Sequence, residues 1–283
     1  LLADGLSLRP FLESIVDAYH GRELKRDRFL ALLSMEEKRM SSGQYEADRT
    51  YLLNRYGGYD WRIMPFEASP LCDERGGEFS HRLRFNEVHI QRAVERLSVS
   101  FSVMHIASII LAMYHYTGSK DVMAFWTFHN RQTKEAENAV GMFIKTLPVG
   151  CHMDAIGSVR ELLISVKEQV LSGIAHSMYS YLVEDVFSRG RVWIESNIQL
   201  HMNDSKMNVF KPRYVELHNA YPETADNVML AVISDSSEKD GAFDHKFSCR
   251  KKGIRTAQAE KMHREIYENL EAMVFDRQIK MSQ

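Results

Sequence analysis

The chain is short of cysteine. Cys72, Cys151 and Cys249 are the only three among 283 residues, odd in number and far apart. That excludes a disulfide framework and leaves no Cys-x-x-Cys pair for a redox or zinc site. A reducing compartment, the cytoplasm, is the expected setting. Nor is there an excess of charge of one sign: 36 Lys plus Arg face 38 Asp plus Glu, a formal charge of -2. A dedicated polyanion binder is thereby excluded, and nucleic acid is not an expected partner. Long apolar runs are missing too. Ile106 to Met113 is the most apolar stretch, too short to span a bilayer, and no basic-then-apolar leader opens the chain. No membrane partner is expected. Internal repeats and low-complexity tracts are also missing.

The familiar catalytic signatures are absent as well. Twelve histidines form no His-Glu-x-x-His, and no helical pair has the spacing to share a metal, so no metal site is expected. Gly157-Ser158 lacks the second glycine of a nucleophile elbow. Gly57-Gly58 and Gly76-Gly77 read as turns rather than phosphate cradles, and no cofactor is expected to bind the chain directly.

What remains is a soluble globular texture, 45% hydrophobic and 26% charged, of alternating helix and strand signals. Ser7 is placed to cap a helix with Pro10 in its first turn and an apolar stripe of Phe11, Leu12, Ile15, Val16 and Tyr19, suited to packing on a sheet, before Gly21 stops it. Leu24 to Lys38 and Gln44 to Arg55 read as surface helices. Residues 57–77, punctuated by Gly57-Gly58, Pro65, Pro70 and Gly76-Gly77, read as a linker or covering segment.

From Phe79 the pattern changes. Phe79, His81, Leu83 and Phe85 alternate as in a half-buried strand. Asn86 caps a helix to Leu97, and Ser102 a strongly apolar one ending at Tyr116 before Gly118. Asp121–Phe128 reads as a central strand, and Met142–Val149 as an extended segment interrupted by Pro148. Ser158-x-x-Glu161 predicts a capping box for a helix to about Ala175. Val192–His201 and Asn227–Ser234 are strands. Ser236–Gly241 is a hairpin turn leading into Phe243, His245, Phe247 and Cys249, and a final helix follows Thr256 with Ile266, Leu270 and Met273 in its stripe. This order predicts an α/β fold, a two-layer sandwich of mixed sheet with helices on one face.

Among chemistry-bearing residues, His105 and His115 read as packed, hydrogen-bonded imidazoles. His176 suits a helix C-terminus. His129, directly after a strand, is a candidate general base, though without an acidic orienter beside it. Glu36-Glu37 and Glu184-Asp185 read as solvent-facing. Arg250, Lys251, Lys252 and Arg255 form a basic patch, either a solvated turn or a spot for an acidic partner, and the fifteen methionines fill the core. Two patterns stand out: Leu1-Leu2-Ala3-Asp4-Gly5, and Val140-Gly141-Met142-Phe143-Ile144-Lys145-Thr146-Leu147-Pro148, which follows His129-Asn130-Arg131.

Together these resemble the condensation domains of nonribosomal peptide synthetases. Leu1 to Gly5, continued by Leu6-Ser7, is similar to the last five positions of the family's His-His-x-x-x-Asp-Gly motif. Gly141, Phe143, Thr146 and Leu147 match its Gly-x-Phe-x-Asn-Thr-Leu signature, with Lys145 in place of the common Asn. Asn130-Arg131 resembles the upstream Arg segment, and Tyr45–Trp61 the segment linking two lobes. His176 and Tyr179 match a His-x-x-Tyr-Pro-Phe signature in which Ser180 and Tyr181 replace Pro and Phe. Val192–Leu200 is similar to the strand before a crossover element, and Asn227–Gly241 to a late hairpin.

The resemblance implies a chloramphenicol-acetyltransferase-like pair of lobes: 1–56 the end of the N-terminal lobe, 57–77 the inter-lobe linker, 78–283 the C-terminal lobe. It implies peptide-bond formation between an acyl or peptidyl thioester on a donor carrier protein and the amine of an aminoacyl thioester on an acceptor carrier, both carried on phosphopantetheine arms. The N-terminal lobe of the same domain and a neighbouring adenylation domain are further implied partners. The motif histidines fall immediately before Leu1, so the chain alone is expected to be inactive. Asp4 and Gly5 are implied to support the motif loop, with Arg131 as the partner of Asp4. The alternatives are an acyltransferase of the same fold using a soluble thioester such as acyl-coenzyme A, an epimerisation domain, and a non-catalytic carrier-docking lobe.

Overall fold

The computed structural model describes residues 3–24, 28–63, 77–186, 193–199, 229–235, 242–249 and 256–281. Helices α1 (Leu8–Tyr19), α2 (Phe29–Arg39) and α3 (Tyr45–Tyr56) come first. Strand β1 (Gly77–Asn86), helices α4 (Glu87–Leu97) and α5 (Phe101–Thr117), strand β2 (Asp121–Phe128) and the short α6 (Lys134–Glu137) follow. Then come β3 (Lys145–His152), α7 (Val159–Ala175), β4 (Ile194–Gln199), β5 (Met229–Asp235), β6 (Ala242–Cys249) and α8 (Thr256–Val274). The six strands form one sheet in the order β1-β6-β5-β4-β2-β3. β4 runs parallel to both β2 and β5, and the other pairs are antiparallel. The sheet is therefore mixed, with helices layered on it.

Local chemistry explains the boundaries. Asn86 accepts from the His89 amide at 3.3 Å while His89 Nδ1 accepts from the Asn86 amide at 3.2 Å, a reciprocal cap for α4. The cap of α5 is Ser100 rather than Ser102; its hydroxyl accepts from the Val103 amide, and Gly118 ends the helix at φ 63°. Ser158 caps α7 as the sequence indicates, but Glu161 reaches one residue further back, to the Gly157 amide. Pro148 lies in β3, the edge strand of the sheet among the described residues, where proline is best tolerated.

Helix α5 is buried from Phe101 almost to its end because α7, α8, β2 and β4 surround it. Its apolar residues join those of β2 (Val122, Ala124, Trp126, Phe128), α7 and α8 in the main core. Alternation sends Met123 and Phe125 to the opposite sheet face. There Leu52, Tyr56, Trp61, Ile63, Tyr179, Tyr181 and Trp193 form a second core. Within the segment read as a linker or covering stretch, Trp61 and Ile63 are buried and Arg62 bridges to Val122; 64–76 lie outside the described residues.

Two expectations about helix packing fail. α3 is not a surface helix, since Asp48, Leu52 and Tyr56 are buried. The stripe of α1 is not packed on a sheet: Phe11 is 50% and Tyr19 85% exposed, because no element among the described residues presents a face to them. The predicted turn at Ser236–Gly241 and the basic patch at Arg250–Arg255 lie outside the described residues. Among the described residues, no single helix is long and apolar enough to cross a membrane.

Candidate functional site

The two sequence patterns that stood out meet in space. Asp4 begins the turn before α1, Arg131 follows β2, and Gly141–Phe143 precede β3. The left-handed conformation of Asn130 (φ 53°) turns the chain just beyond β2, a geometry Asn tolerates better than most residues. Arg131 and Asp4 form an ion pair at 2.7 Å, with side chains 3% and 0% exposed.

Burying two charges is costly unless the geometry is good and the remaining hydrogen-bonding sites are filled. Here most of them are. Asp4 Oδ1 accepts from Arg131 Nη2, the Ser7 amide (3.1 Å) and Ser7 Oγ (3.0 Å), and Oδ2 accepts from the Phe143 amide (3.0 Å). Arg131 Nη1 donates to the carbonyls of Ala136 and Ala139. Ser7 Oγ accepts from Arg131 Nη2 (2.8 Å) and the Gly141 amide (3.0 Å), with the Gly141 carbonyl also in donating reach at 2.8 Å. The Phe143 ring lies under the guanidinium, 4.3 Å from its carbon, and Phe29 meets Phe143 edge-on.

This corrects the part read for Ser7. It stands at the head of α1 but makes no side-chain cap; Asp4 supplies the oxygen for the first turn, and the Ser7 hydroxyl serves the ion pair. Gly141 has a steric reason: a Cβ there would lie 2.2 Å from the Phe29 ring. Gly5 is exposed in the turn. Lys145, at the off-pattern position, donates to Glu36 of α2 at 2.7 Å, so Glu36 is not simply solvent-facing.

The His176–Tyr181 segment is held from α3. Asp48 is buried; it accepts from the Met178 amide (2.9 Å) and Gln44 (2.6 Å) and lies 3.0 Å from His176 Nδ1, while Tyr51 stacks on that imidazole. Tyr179 donates to Asp185 at 2.7 Å, which corrects the solvent-facing reading of that carboxylate. His129 is exposed. Among the described residues, no group of three or more His, Cys, Asp or Glu is arranged to hold a metal ion. Cys151 is buried, its thiol pushed up to about 11 by burial, which makes it a poor nucleophile.

Sequence reasoning left two polar groups incomplete: it read His105 as a packed, hydrogen-bonded imidazole without its partners, and it did not single out Glu195. His105, fully buried in α5, meets Ser196 Oγ at 2.7 Å and His245 Nε2 at 3.0 Å, and His263 Nε2 approaches the His245 carbonyl at 3.2 Å. Burial holds all three imidazoles below their usual range, His105 at about 3 and His263 at about 4. Glu195 of β4 is the other. It accepts from Thr127 Oγ1, from Thr146 Oγ1 at 3.5 Å and from Trp193 Nε1 at 3.4 Å, and burial raises its pKa. The signal available was an acidic residue inside an otherwise strand-like run.

Comparison with known proteins agrees with this arrangement. A family model described as the condensation domain matches residues 1–273. A hybrid PKS-NRPS synthetase of Penicillium citrinum is 24% identical over 196 residues, covering 65% of this chain and 5% of that protein. The chain thus spans a small fraction of such a relative's length. Among solved structures, the first condensation domain of the CDA synthetase superposes with a TM-score of 0.73 at 16% identity, over 100% of this chain and 64% of that one. The X-domain from teicoplanin biosynthesis gives 0.75 at 17% identity, over 99% and 68%. With its whole length matched in fold and nearly all of it in sequence pattern, the chain belongs to the condensation-domain family, a two-layer α/β family engaged in acyl transfer.

Proposed function

We propose that this chain contributes to amide-bond formation between a donor acyl or peptidyl thioester and the amine of an aminoacyl thioester, each delivered on the phosphopantetheine arm of a carrier protein. In this reading residues 1–56 end a first lobe, 57–77 link, and 78–283 form a second lobe, working in the cytoplasm beside an adenylation domain. The observation that supports it most is the buried Asp4–Arg131 pair, which ties the Asp-Gly turn to the Gly141–Phe143 segment.

A thioester is already activated. The amine nitrogen attacks the acyl carbon, the carbon–sulfur bond breaks, and one proton leaves nitrogen as the thiol departs. The protein must orient the amine, exclude water and manage that proton. In the family's motif the proton is managed by an imidazole, the side chain best poised near neutral pH. Asp4 touches no substrate in this scheme. Both its oxygens are occupied and its side chain is fully buried, so it is a positioning residue that fixes the loop through Arg131.

The test is a condensation assay with loaded donor and acceptor carriers, using a protein that contains this chain with the motif histidines in place. Amide product is expected, and its loss when the second histidine becomes alanine. Carrier binding without any product would favour the second reading, a docking lobe. Lys145, engaged with Glu36 where the family has an asparagine, is the observation on that side.

A further inference from the structure

Glu195 is the most unusual charge-bearing residue on the sheet. β2 and β4 pair Phe125 with Glu195, and β2 and β3 pair Thr127 with Thr146. Alternation therefore places Thr127, Thr146 and Glu195 on one face, the face opposite α5 and α7, with Phe125 and Trp193 as an apolar wall. Glu195 as a residue is half-buried, while its carboxyl is desolvated enough for burial to raise its pKa. An indole N–H can only donate, so Glu195 Oε2 is an acceptor toward Trp193, and the threonine hydroxyls face Oε1. Three donors leave part of a carboxylate's four-site capacity unused. Among the described residues no Lys or Arg pairs with it.

The Glu195 cluster lies beside the start of β3. Asp4 holds the Phe143 amide, and Thr146 follows three residues later, a reach of about 10 Å along extended chain. Lys145, between them, is held by Glu36. The start of β3 is thus bracketed by residues from the Asp4 turn and from α2. A neutral donor could fill the spare acceptor capacity but would bring no counter-charge. A primary ammonium brings three donors and the missing counter-charge, and makes the strong, charge-assisted kind of hydrogen bond.

We propose that Glu195, with Thr127 and Thr146, is the site that receives the primary ammonium of the acceptor substrate; this rests on the condensation reading above. Glu195 acts as a binding and specificity residue, holding the amine-bearing group at the end of β3 nearest the Asp4 turn; the bound ammonium first gives one proton to the Glu195 carboxylate, and the free amine then attacks and loses its second proton as described above.

The experiment is an NMR titration of the chain with three small probes, each on the same N-acetylethylenediamine arm, a hydrolysis-proof stand-in for the end of a thioester arm. One carries alanine with a free amine, one N-acetyl-alanine, and one Nα-acetyl-lysine. The free-amine alanine probe is expected to bind about tenfold more tightly than its acetylated counterpart, and Glu195→Gln to abolish that preference. In the unmutated chain the same probe should lower the titration midpoint of the Glu195 carboxyl, which the acetylated probe leaves in place. A preference shown by the lysine probe alone would keep the ammonium site and assign it to an acceptor side chain. If acetylated and free-amine probes bind alike, or Glu195→Gln keeps the preference, the assignment falls while the condensation reading stands. If no probe binds at all, the assignment falls, and the condensation reading is decided by the amide-product assay above.

Discussion

Two buried polar clusters in this protein solve one problem in opposite ways. The Asp4–Arg131 cluster keeps its charges and spends backbone and hydroxyl groups on them: Ser7, Gly141, Phe143, Ala136 and Ala139 all contribute hydrogen bonds. The His105–His245–His263 cluster keeps no charge. Its imidazoles are pushed toward neutrality by burial, and His245 Nδ1 has no hydrogen-bond partner among the described residues. The first joins segments about 130 residues apart across the head of the chain. The second joins α5, β6 and α8 inside the main core. A charge pair is worth burying where it fixes one geometry; a neutral imidazole network suits a place that need only be packed and partly satisfied.

The largest expected effect breaks the first cluster. Arg131→Ala leaves the Asp4 carboxylate buried without its counter-charge, a loss of about 3–5 kcal/mol, with activity falling alongside stability in denaturant melts. Activity lost on an unchanged melting curve would instead make Arg131 a substrate-contacting residue. Next is the second cluster's response to acid. The unfolded imidazoles take up protons near pH 6.5 that the folded ones refuse, so the stability they confer is full above 6.5 and is lost as pH falls toward 3–4. At pH 5, His105 alone costs about 2 kcal/mol relative to pH 7. A His105→Leu variant should flatten that limb of the stability-pH curve. Close in size, Ser7→Ala removes a hydroxyl bonded to Asp4, Arg131 and Gly141, costing about 1–3 kcal/mol, readable in the same melts. Smallest is Lys145→Asn, which restores the family's usual residue. The Lys145–Glu36 pair is partly exposed, its side chains 22% and 39% accessible, so melts should move by less than about 1 kcal/mol.

The comparison also explains what the sequence made legible. Local rules found Asn86 as the cap of α4 and Asp121–Phe128 as a strand, because capping and alternation are short-range. They erred by two residues at Ser100, where two serines offered the same cap. The strand read from Met142 begins at Lys145, since the Phe143 amide is taken by Asp4 rather than by a neighbouring strand. α3 looked polar enough for the surface because the partners that bury Asp48, His176 and Met178, lie about 130 residues away. The Asp4–Arg131 pairing followed from the family resemblance, not from periodicity. The His105–His245 contact and the Glu195 cluster had no such guide. Both are made by residues of elements far apart in the chain that meet only in the folded sheet and its helix layer.

The central claim is that Asp4 acts through Arg131, as the clasp of a loop, and not on a substrate. A double-mutant cycle on unfolding free energy with Asp4→Asn and Arg131→Met tests it directly. The account predicts that the double variant is more stable than the sum of the two single losses requires, by about 2–3 kcal/mol. Single losses that simply add, to within about 0.5 kcal/mol, would contradict it.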